Sequence, residues 1–269
     1  MKLSIYTFVK NGLFYDFHVE AMLRHHAPLV DEIIVNEGFS DDGTYEAITA
    51  IDPKIEVHRF VWDQSDPNGW HRAFKNQARE LCTGDWCLLL DCDEFIPEWE
   101  FDWMREYLAR TSHDLVPVRF LHFYGNYKVW MARSRATVPD TGVRIHRNRS
   151  EIEVWGDGAN VRVRGTEGPI VAAPDAVFDV HHFGSVRNPA RLRQKWRTQA
   201  KQHNAANPKW DKTPSVLFDM FPHKWDDPDF LRYLDVYEGP FIQAVRDQPD
   251  EFVRDEFWLY EHLKRRASV

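Results

Sequence analysis

The first half of the chain alternates short apolar runs with amphipathic segments. The apolar runs at 3–9, 31–38, 55–62 and 85–91 predict four β-strands, and the segments between them, such as HRAFKNQARELC, have helical spacing. Repeated β-α-β units of this size predict a parallel sheet with helices on both faces. Because ligands of such open sheets bind at the carboxyl ends of the strands, a site is expected there.

The pattern changes near residue 113. The stretches LVPVRFLHFYG and VRIHRNRSEIEVWGDGANVRVRG alternate apolar and polar residues and contain many turn residues, which predicts mixed or antiparallel strands. From Asn188 onward the composition and spacing predict helices. The sequence therefore predicts three parts: a half of alternating strands and helices at 1–112, a mixed-strand half at 113–187 and a helical C-terminal extension at 188–269. No Gly/Ser-rich linker marks residue 113, so a change of topology within one unit is expected there.

Composition and charge narrow the class of protein. The 269 residues are 43% hydrophobic and 28% charged, which is ordinary for a globular protein. The formal net charge of −8 argues against nucleic acid as the main partner, although a local basic patch is compatible with it. The three cysteines have no zinc-site spacing and are expected to be reduced thiols. Without a membrane-span run or a signal-peptide layout, the expected location is the cytoplasm, with peripheral membrane contact as an option.

The fourth predicted strand ends in WCLLLDCDEFIP, residues 86–97, where carboxylates follow a buried run. Residues i and i+2 of a strand share a face, so Asp91 and Asp93 are predicted to point at one place. Two ionised carboxylates this close repel each other unless a cation neutralises them or one is protonated. Mg²⁺ or Mn²⁺, shared with the oxygens of a phosphorylated substrate, is the natural partner. A solvated acidic turn is the alternative, and the pattern alone does not decide between the two.

Four stretches within roughly the first 100 residues together resemble the family 2 glycosyltransferases, which have the nucleotide-sugar-binding GT-A fold. In order, they are VKN, VDEIIVNEGFSDDGT, FKNQARELCTGDW and LLLDCDE. The combination looks most like the bacterial sugar transferases that carry an Asp-x-Asp metal motif. The resemblance implies a Rossmann-like α/β fold with a mostly parallel sheet, in which 1–112 binds the nucleotide sugar and 113–187 faces the acceptor. The implied sugar donor is a nucleotide-diphosphate sugar, with a UDP-sugar expected, and the implied cofactor is Mn²⁺ or Mg²⁺.

The resemblance also implies roles for residues at the strand ends. Asp93 would ligate the metal, and Asp91 would contact the metal or the ribose. Glu37 stands where the family reads the nucleotide base. The sequence departs from the common pattern there, because Asn36 precedes Glu37 and Phe39 is an extra residue before Ser40.

Three further residues of the first half match nucleotide-binding positions of the family. Thr7 and Lys10 lie at the end of the first strand, where the nucleotide would lie. Lys75 occupies a basic position where arginine is commoner. The alternatives are a strand-end hydroxyl for Thr7 and a solvated helix face for Lys75.

A histidine pair precedes a basic segment in DVHHFGSVRNPARLRQKW, residues 179–196. This stretch resembles the C-terminal element in which a histidine completes the metal shell, and His182 fits the His-aromatic-Gly pattern better than His181. Neutral imidazole is a competent Mn²⁺ ligand. Basic residues recurring every four positions form helical stripes, which can neutralise a leaving diphosphate. Arg187 and Lys195 are predicted to do so, and a solvated helix face is the alternative for the other basic residues.

An inverting transferase needs a general base to take the proton of the acceptor hydroxyl. In EVWGDGAN, Asp157 lies in a Gly-flanked turn beside Trp155, a possible surface for sugar stacking. Asp157 is the first candidate, with Glu153 and Asp140 behind it. A plain turn residue is the alternative for Asp157. Inversion itself is implied by the resemblance, since most family 2 enzymes invert.

The predicted function is metal-dependent transfer of a sugar from a nucleotide diphosphate to an acceptor that the sequence does not identify. A sugar-phosphate nucleotidyltransferase would share the fold and the metal, but it usually carries a Gly-rich loop where TFVKNGLFYDF has one glycine. The other alternative is a non-catalytic nucleotide- or carbohydrate-binding GT-A module. The Asp-x-Asp motif, the downstream histidine and the basic segment argue against it.

Overall fold

The computed structural model describes most of the chain up to Asn188 and a smaller part of the C-terminal residues. The described residues are 1–62, 70–132, 141–166, 172–174, 177–188, 190–192, 194–195, 197–198, 232–246 and 263. Asp140 and most of the predicted C-terminal extension lie outside them. Within the described ranges, no helix is long and apolar enough to cross a bilayer.

Parallel strands build the first half, as predicted. The strands are β1 (Leu3–Val9), β2 (Glu32–Glu37), β3 (Ile55–Arg59) and β4 (Trp86–Leu89), and the helices between them are α1 (Val19–His26), α2 (Thr44–Thr49) and α3 (Trp70–Arg79). β1 pairs in parallel with β2 and with β4, and β2 pairs in parallel with β3. β2 is buried along its whole length, which is the mark of a strand covered on both faces.

The second half adds antiparallel strands to the same sheet. The elements after β4 are β5 (Glu94–Phe95), a 3-10 turn (Glu98–Glu100), α4 (Phe101–Arg110), β6 (Leu115–Tyr124), β7 (Asn126–Met131), β8 (Thr141–Arg147), β9 (Ile152–Trp155), β10 (Asn160–Val163), β11 (Phe178–Ser185), β12 (Leu234–Val236) and α5 (Gln243–Arg246). The main strand order is β12-β7-β6-β8-β4-β1-β2-β3, and β9 and β10 form a separate hairpin. β11 runs parallel to β6 and antiparallel to β5. The mixed α/β sheet flanked by helices is therefore confirmed.

One part of the C-terminal prediction is wrong. β12 lies within the stretch predicted to be helical, yet it pairs antiparallel with β7. Leu234 is buried by this pairing, while Asp235 next to it is exposed. A three-residue strand carries too short an alternation to be distinguished from a helix by periodicity.

Helix α1 attaches the sheet to the segment that follows the predicted motif. Its buried side chains include His25 and His26, which contact the ring of Phe95. His25 donates from Nε2 to the Ile96 carbonyl at 2.8 Å, and His26 accepts the Ile96 amide at Nε2 at 3.2 Å. These hydrogen bonds fix the chain just after the Asp-x-Asp motif, so the position of the motif does not depend on β4 alone.

Buried histidines should make the fold sensitive to acid. Burial lowers the pKa of His146 and of His181 to about 4, and that of His182 to about 3. An unfolded histidine titrates near 6.5, so between about pH 6.5 and 4 the unfolded chain binds protons that the folded chain does not. We expect each group to remove on the order of 3 kcal/mol of folding free energy over this window. Burial also raises the pKa of Glu94 to about 7, which acts in the opposite direction.

The lowered pKa values of the buried histidines outweigh the raised pKa of Glu94, so the free energy of unfolding is predicted to be lower at pH 5 than at pH 7.5. Urea unfolding followed by circular dichroism at both pH values measures the difference. His181→Phe removes one titrating group from an aromatic environment and should make the pH dependence shallower. Equal or greater stability at pH 5 would contradict the prediction.

Candidate functional site

The Asp-x-Asp motif lies in a turn that Glu94 holds. β4 ends at Leu89, and residues 92 and 93 are turn residues. The backbone amide of Asp91 donates to Glu94 Oε2 at 2.8 Å, and Arg144 Nη2 donates to Glu94 Oε1 at 2.9 Å. The prediction that the two aspartates share one strand face is therefore wrong, because the strand ends before them. Their carboxylates instead have separate sets of partners.

Asp93 is surrounded by cationic and imidazole groups. Its Oδ2 accepts from Arg187 Nη2 at 2.7 Å and from Lys195 Nζ at 3.4 Å, and its Oδ1 lies 3.7 Å from His182 Nε2. Burial alone would raise the pKa of Asp93, but Lys195, His182 and Arg187 outweigh it and hold that pKa well below its usual range. Asp93 is therefore an ionised carboxylate inside the protein.

Asp91 is paired with different cations. Its Oδ1 lies 2.5 Å from Lys75 Nζ, and its Oδ2 lies 3.9 Å from Arg144 Nη2. Burial opposes ionisation, but Lys75 and Arg144 lower the pKa of Asp91 nevertheless. Lys75 also donates to the Gly158 carbonyl at 2.9 Å and is only 3% exposed. The alternative of a solvated helix face does not hold for Lys75.

The hairpin of β9 and β10 is docked on α3. Asn76 donates to the Val154 carbonyl at 3.0 Å and accepts the Val154 amide at 2.9 Å, as a neighbouring strand would. Gly158 has φ +94°, and a Cβ there would lie 3.1 Å from the Cβ of His71 on α3. The turn that carries Asp157 is thus linked through Lys75 to the Asp-x-Asp turn.

The two candidate bases of the described part differ in their environments. Asp157 is exposed, and its Oδ1 accepts the Ala159 amide at 3.1 Å. Glu153 is paired with Arg162 at 3.1 Å and with Arg164 at 3.3 Å. Two arginine partners already occupy the carboxylate of Glu153, so the geometry favours Asp157. Nearby Trp155 is also exposed.

The two histidines of β11 lie on opposite faces. His182 faces Asp93, and burial lowers its pKa to about 3, so the ring is neutral. His181 lies among aromatic rings, and its Nε2 is 3.5 Å from the hydroxyl of Tyr237. Between the two, the structure favours His182 as the residue that serves the site.

The other residues predicted to bind nucleotide differ in burial: Glu37 and Thr7 are buried, and Lys10 is partly exposed. The carboxylate of Glu37 is fully buried, and it accepts the amides of Phe39 and Ser40 and Arg59 Nε at 2.7 Å. It thus shapes its own loop. Thr7 is also buried, and its Oγ1 has no hydrogen-bond partner among the described residues. Lys10 is partly exposed.

Sequence reasoning missed Arg144 and His122. Arg144 is buried on β8 and holds Glu94, and His122 on β6 contacts His182. The available signal for Arg144 was the alternation in VRIHR, which places it on the opposite face from Val143 and Ile145. Nothing in the local sequence pairs His122 with His182, because they are brought together by strand order.

Asp93 and His182 could supply two of the ligands that a divalent cation needs. Their facing atoms, 3.7 Å apart, can both reach an ion at about 2.1 Å. Mg²⁺ is commonly held by one or two carboxylates plus substrate phosphates. Among the described residues, no group of three or more His, Cys, Asp or Glu side chains could hold a metal ion. The residues therefore fit a metal ion if substrate oxygens complete its shell.

Comparison with known proteins identifies the family. The family described as Glycosyl transferase family 2 matches residues 19–187, which is more than half of the chain. Comparison with curated protein sequences gives no significant match.

Several solved structures are similar at low identity. S. aureus TarS 1–349 in complex with UDP-GlcNAc aligns with 14% identity and a TM-score of 0.45 over 94% of this chain and 83% of that one. Another structure of TarS 1–349 aligns with 13% identity and a TM-score of 0.42 over 77% of this chain and 66% of that one. Glucosyl-3-phosphoglycerate synthase from Mycobacterium tuberculosis, in complex with Mn²⁺, UDP-Glc and phosphoglyceric acid, aligns with 17% identity and a TM-score of 0.33 over 45% of this chain and 44% of that one.

The matched residues include α1, the strands β2 to β4, the Asp-x-Asp turn and β11, and they end at Arg187. The observed mixed α/β sheet flanked by helices is the GT-A architecture that this family implies. The chain belongs to glycosyltransferase family 2.

Proposed function

We propose that the protein transfers a sugar from a nucleotide-diphosphate sugar, expected to be a UDP-sugar, to an acceptor hydroxyl group. The observation that carries the proposal is the ionised Asp93 in the turn after β4, surrounded by Arg187, Lys195 and His182 in a family 2 chain. The site combines a fixed negative charge with cations, as a diphosphate-binding transferase requires.

Arg187 and Lys195 would act on the leaving diphosphate. The side chain of Arg187 is fully buried, and its Nε has no hydrogen-bond partner among the described residues. Lys195 retains 13% exposure and donates to the Gly184 carbonyl at 3.3 Å. As the glycosidic bond breaks, fixed cations stabilise the negative charge that develops on the diphosphate. Arg187 also holds Asp93, so Lys195 is the freer of the two to turn toward the diphosphate.

Asp93 and His182 would hold Mn²⁺ or Mg²⁺, with the diphosphate completing the shell. When bound, the ion supplies Lewis-acid stabilisation of the diphosphate. Asp91 was predicted to be a second carboxylate ligand or a ribose contact. Because it is paired with Lys75 and Arg144, we assign it the ribose side and the orientation of the turn.

The rest of the sugar donor would lie along the ends of β1 and β2. Lys10 offers a partly exposed ammonium group there, and the buried Thr7 lies three residues before it. The carboxylate of Glu37 stabilises the β2–α2 loop, so any reading of the base by Glu37 would require Arg59 to move away.

Asp157 would be the general base of an inverting reaction. It is exposed, and its turn is anchored through Lys75 to Asp91. An exposed carboxylate is accessible to an acceptor hydroxyl, and the anchor keeps it in a fixed relation to the sugar donor. Trp155 beside it could stack on an acceptor sugar, since aromatic rings present a broad apolar face.

A screen of sugar donors tests the proposed function. The protein would be incubated with Mn²⁺ and a panel of UDP-, GDP- and dTDP-sugars, and nucleotide release by slow hydrolysis would be followed. We expect UDP release from at least one UDP-sugar. Binding without turnover would instead support the non-catalytic module, and consumption of a nucleoside triphosphate with a sugar phosphate would support the nucleotidyltransferase. If the protein binds no sugar donor and releases nucleotide from none, the proposed transferase activity is refuted.

A further inference from the structure

His122 and His182 form a directly hydrogen-bonded pair beside the site. They lie opposite each other in the parallel pairing of β6 with β11. Their Nδ1 atoms are 2.7 Å apart, and the ring centroids are 4.9 Å apart with an interplanar angle of 75°. Two nitrogen atoms at this distance share one proton, so one ring donates and the other accepts.

The direction of this hydrogen bond decides what His182 presents to Asp93. If His182 donates from Nδ1, its Nε2 carries a lone pair toward Asp93 Oδ1, 3.7 Å away. If His122 donates, the neutral His182 carries its proton on Nε2 and cannot ligate a metal ion there. The tautomer of a ligating histidine is commonly set by the partner of its other nitrogen.

We propose that His122 is the positioning residue that accepts the Nδ1 proton of His182 and so presents the Nε2 lone pair to the cation. The inference rests on the proposed function, because that cation is the one proposed between Asp93 and His182. His122 itself does not touch the cation. Its ring is stacked on Phe120 with centroids 5.6 Å apart, which limits the rotation of the accepting ring.

Two variants of His122 separate hydrogen-bond acceptance from packing. Asparagine can place an acceptor oxygen near the position of the histidine Nδ1, whereas phenylalanine fills the ring volume without an acceptor. We expect His122→Phe to weaken the binding of Mn²⁺ in the presence of UDP by about 10-fold or more, which is the usual cost of losing such a partner. His122→Asn should stay within about 3-fold of the native affinity.

Electron paramagnetic resonance of the Mn²⁺–UDP complex gives the readout. Modulation of the electron spin echo by a directly bound ¹⁴N should be present in the native protein, absent in His182→Ala and lost or reduced in His122→Phe. Native modulation and native affinity in His122→Phe would overturn the inference. Mn²⁺ binding without ¹⁴N modulation in the native protein would also overturn it. Nucleotide release from a UDP-sugar in either case would leave the proposed transferase standing.

Discussion

Asp93→Asn is expected to lower nucleotide release from the UDP-sugar by at least about 100-fold, because it removes the fixed charge at the centre of the site. The same change leaves Arg187 and Lys195 without an ionised partner. Breaking a buried ion pair on one side costs about 3–5 kcal/mol, so the free energy of unfolding should fall by a similar amount. Nucleotide release and urea unfolding, measured on the same preparation, check both results.

Asp179→Asn is the matched control for Asp93→Asn. Asp179 lies on β11, three positions before His182, and forms a bidentate pair with Arg119 at 2.8 Å for both contacts. The side chain of Arg119 is 59% exposed, so this pair should contribute about 1 kcal/mol or less. The control should release nucleotide at the native rate. Native turnover in Asp93→Asn would refute the assignment of Asp93.

The parallel half of the fold could be predicted because its information is local. β1 and β4 consist mainly of apolar residues, β2 has an apolar centre at 33–35, and the helical spacing between the strands leaves few possible topologies. The position of the site could also be predicted, because ligands of open parallel sheets bind at the carboxyl ends of the strands. Asp93 could therefore be proposed from the strand pattern and His182 from the resemblance to family 2, and the fold places them together.

The cations that neutralise the motif could not be predicted from periodicity. Lys75 lies on α3, Arg144 on β8 and Arg187 after β11, and only the fold brings the first two to Asp91 and the third to Asp93. The sequence suggested a metal ion as the partner of both aspartates, whereas the folded chain supplies Arg and Lys partners for each. Two neighbouring carboxylates need a counter-charge, but their repulsion does not indicate which residue supplies it.

The role of Glu94 could not be predicted from periodicity either, although one of its partners, Asp91, is only three residues away. Glu94 ends the stretch LLLDCDE, but its place in the sequence predicted no role for it. In the structure it accepts the amide of Asp91 and the guanidinium of Arg144, and it thereby shapes the turn. Such a role depends on the turn at 92–93, which strand periodicity cannot reveal because the strand has already ended.

The position of Gly184, two residues after His182, has no room for a side chain. A Cβ at position 184 would clash with His182 Nε2 and would lie 2.9 Å from its Cε1. The ring cannot move away without breaking its 2.7 Å contact with His122. Gly184→Ala is therefore expected to cost about 1–3 kcal/mol of folding free energy, as overpacking usually does. It should also reduce Mn²⁺ affinity in the presence of UDP by about 10-fold or more, because it displaces the proposed ligand.

A double-mutant cycle tests whether Gly184→Ala acts through the imidazole ring. In a His182→Ala background the added methyl group meets no ring, so Gly184→Ala should cause little further loss of stability or of Mn²⁺ affinity. The coupling free energy between the two positions should therefore reach about 1–3 kcal/mol. Urea unfolding of the four proteins and Mn²⁺ titration with UDP measure it. Additive losses would show that Gly184 serves the backbone of β11 and not the position of His182.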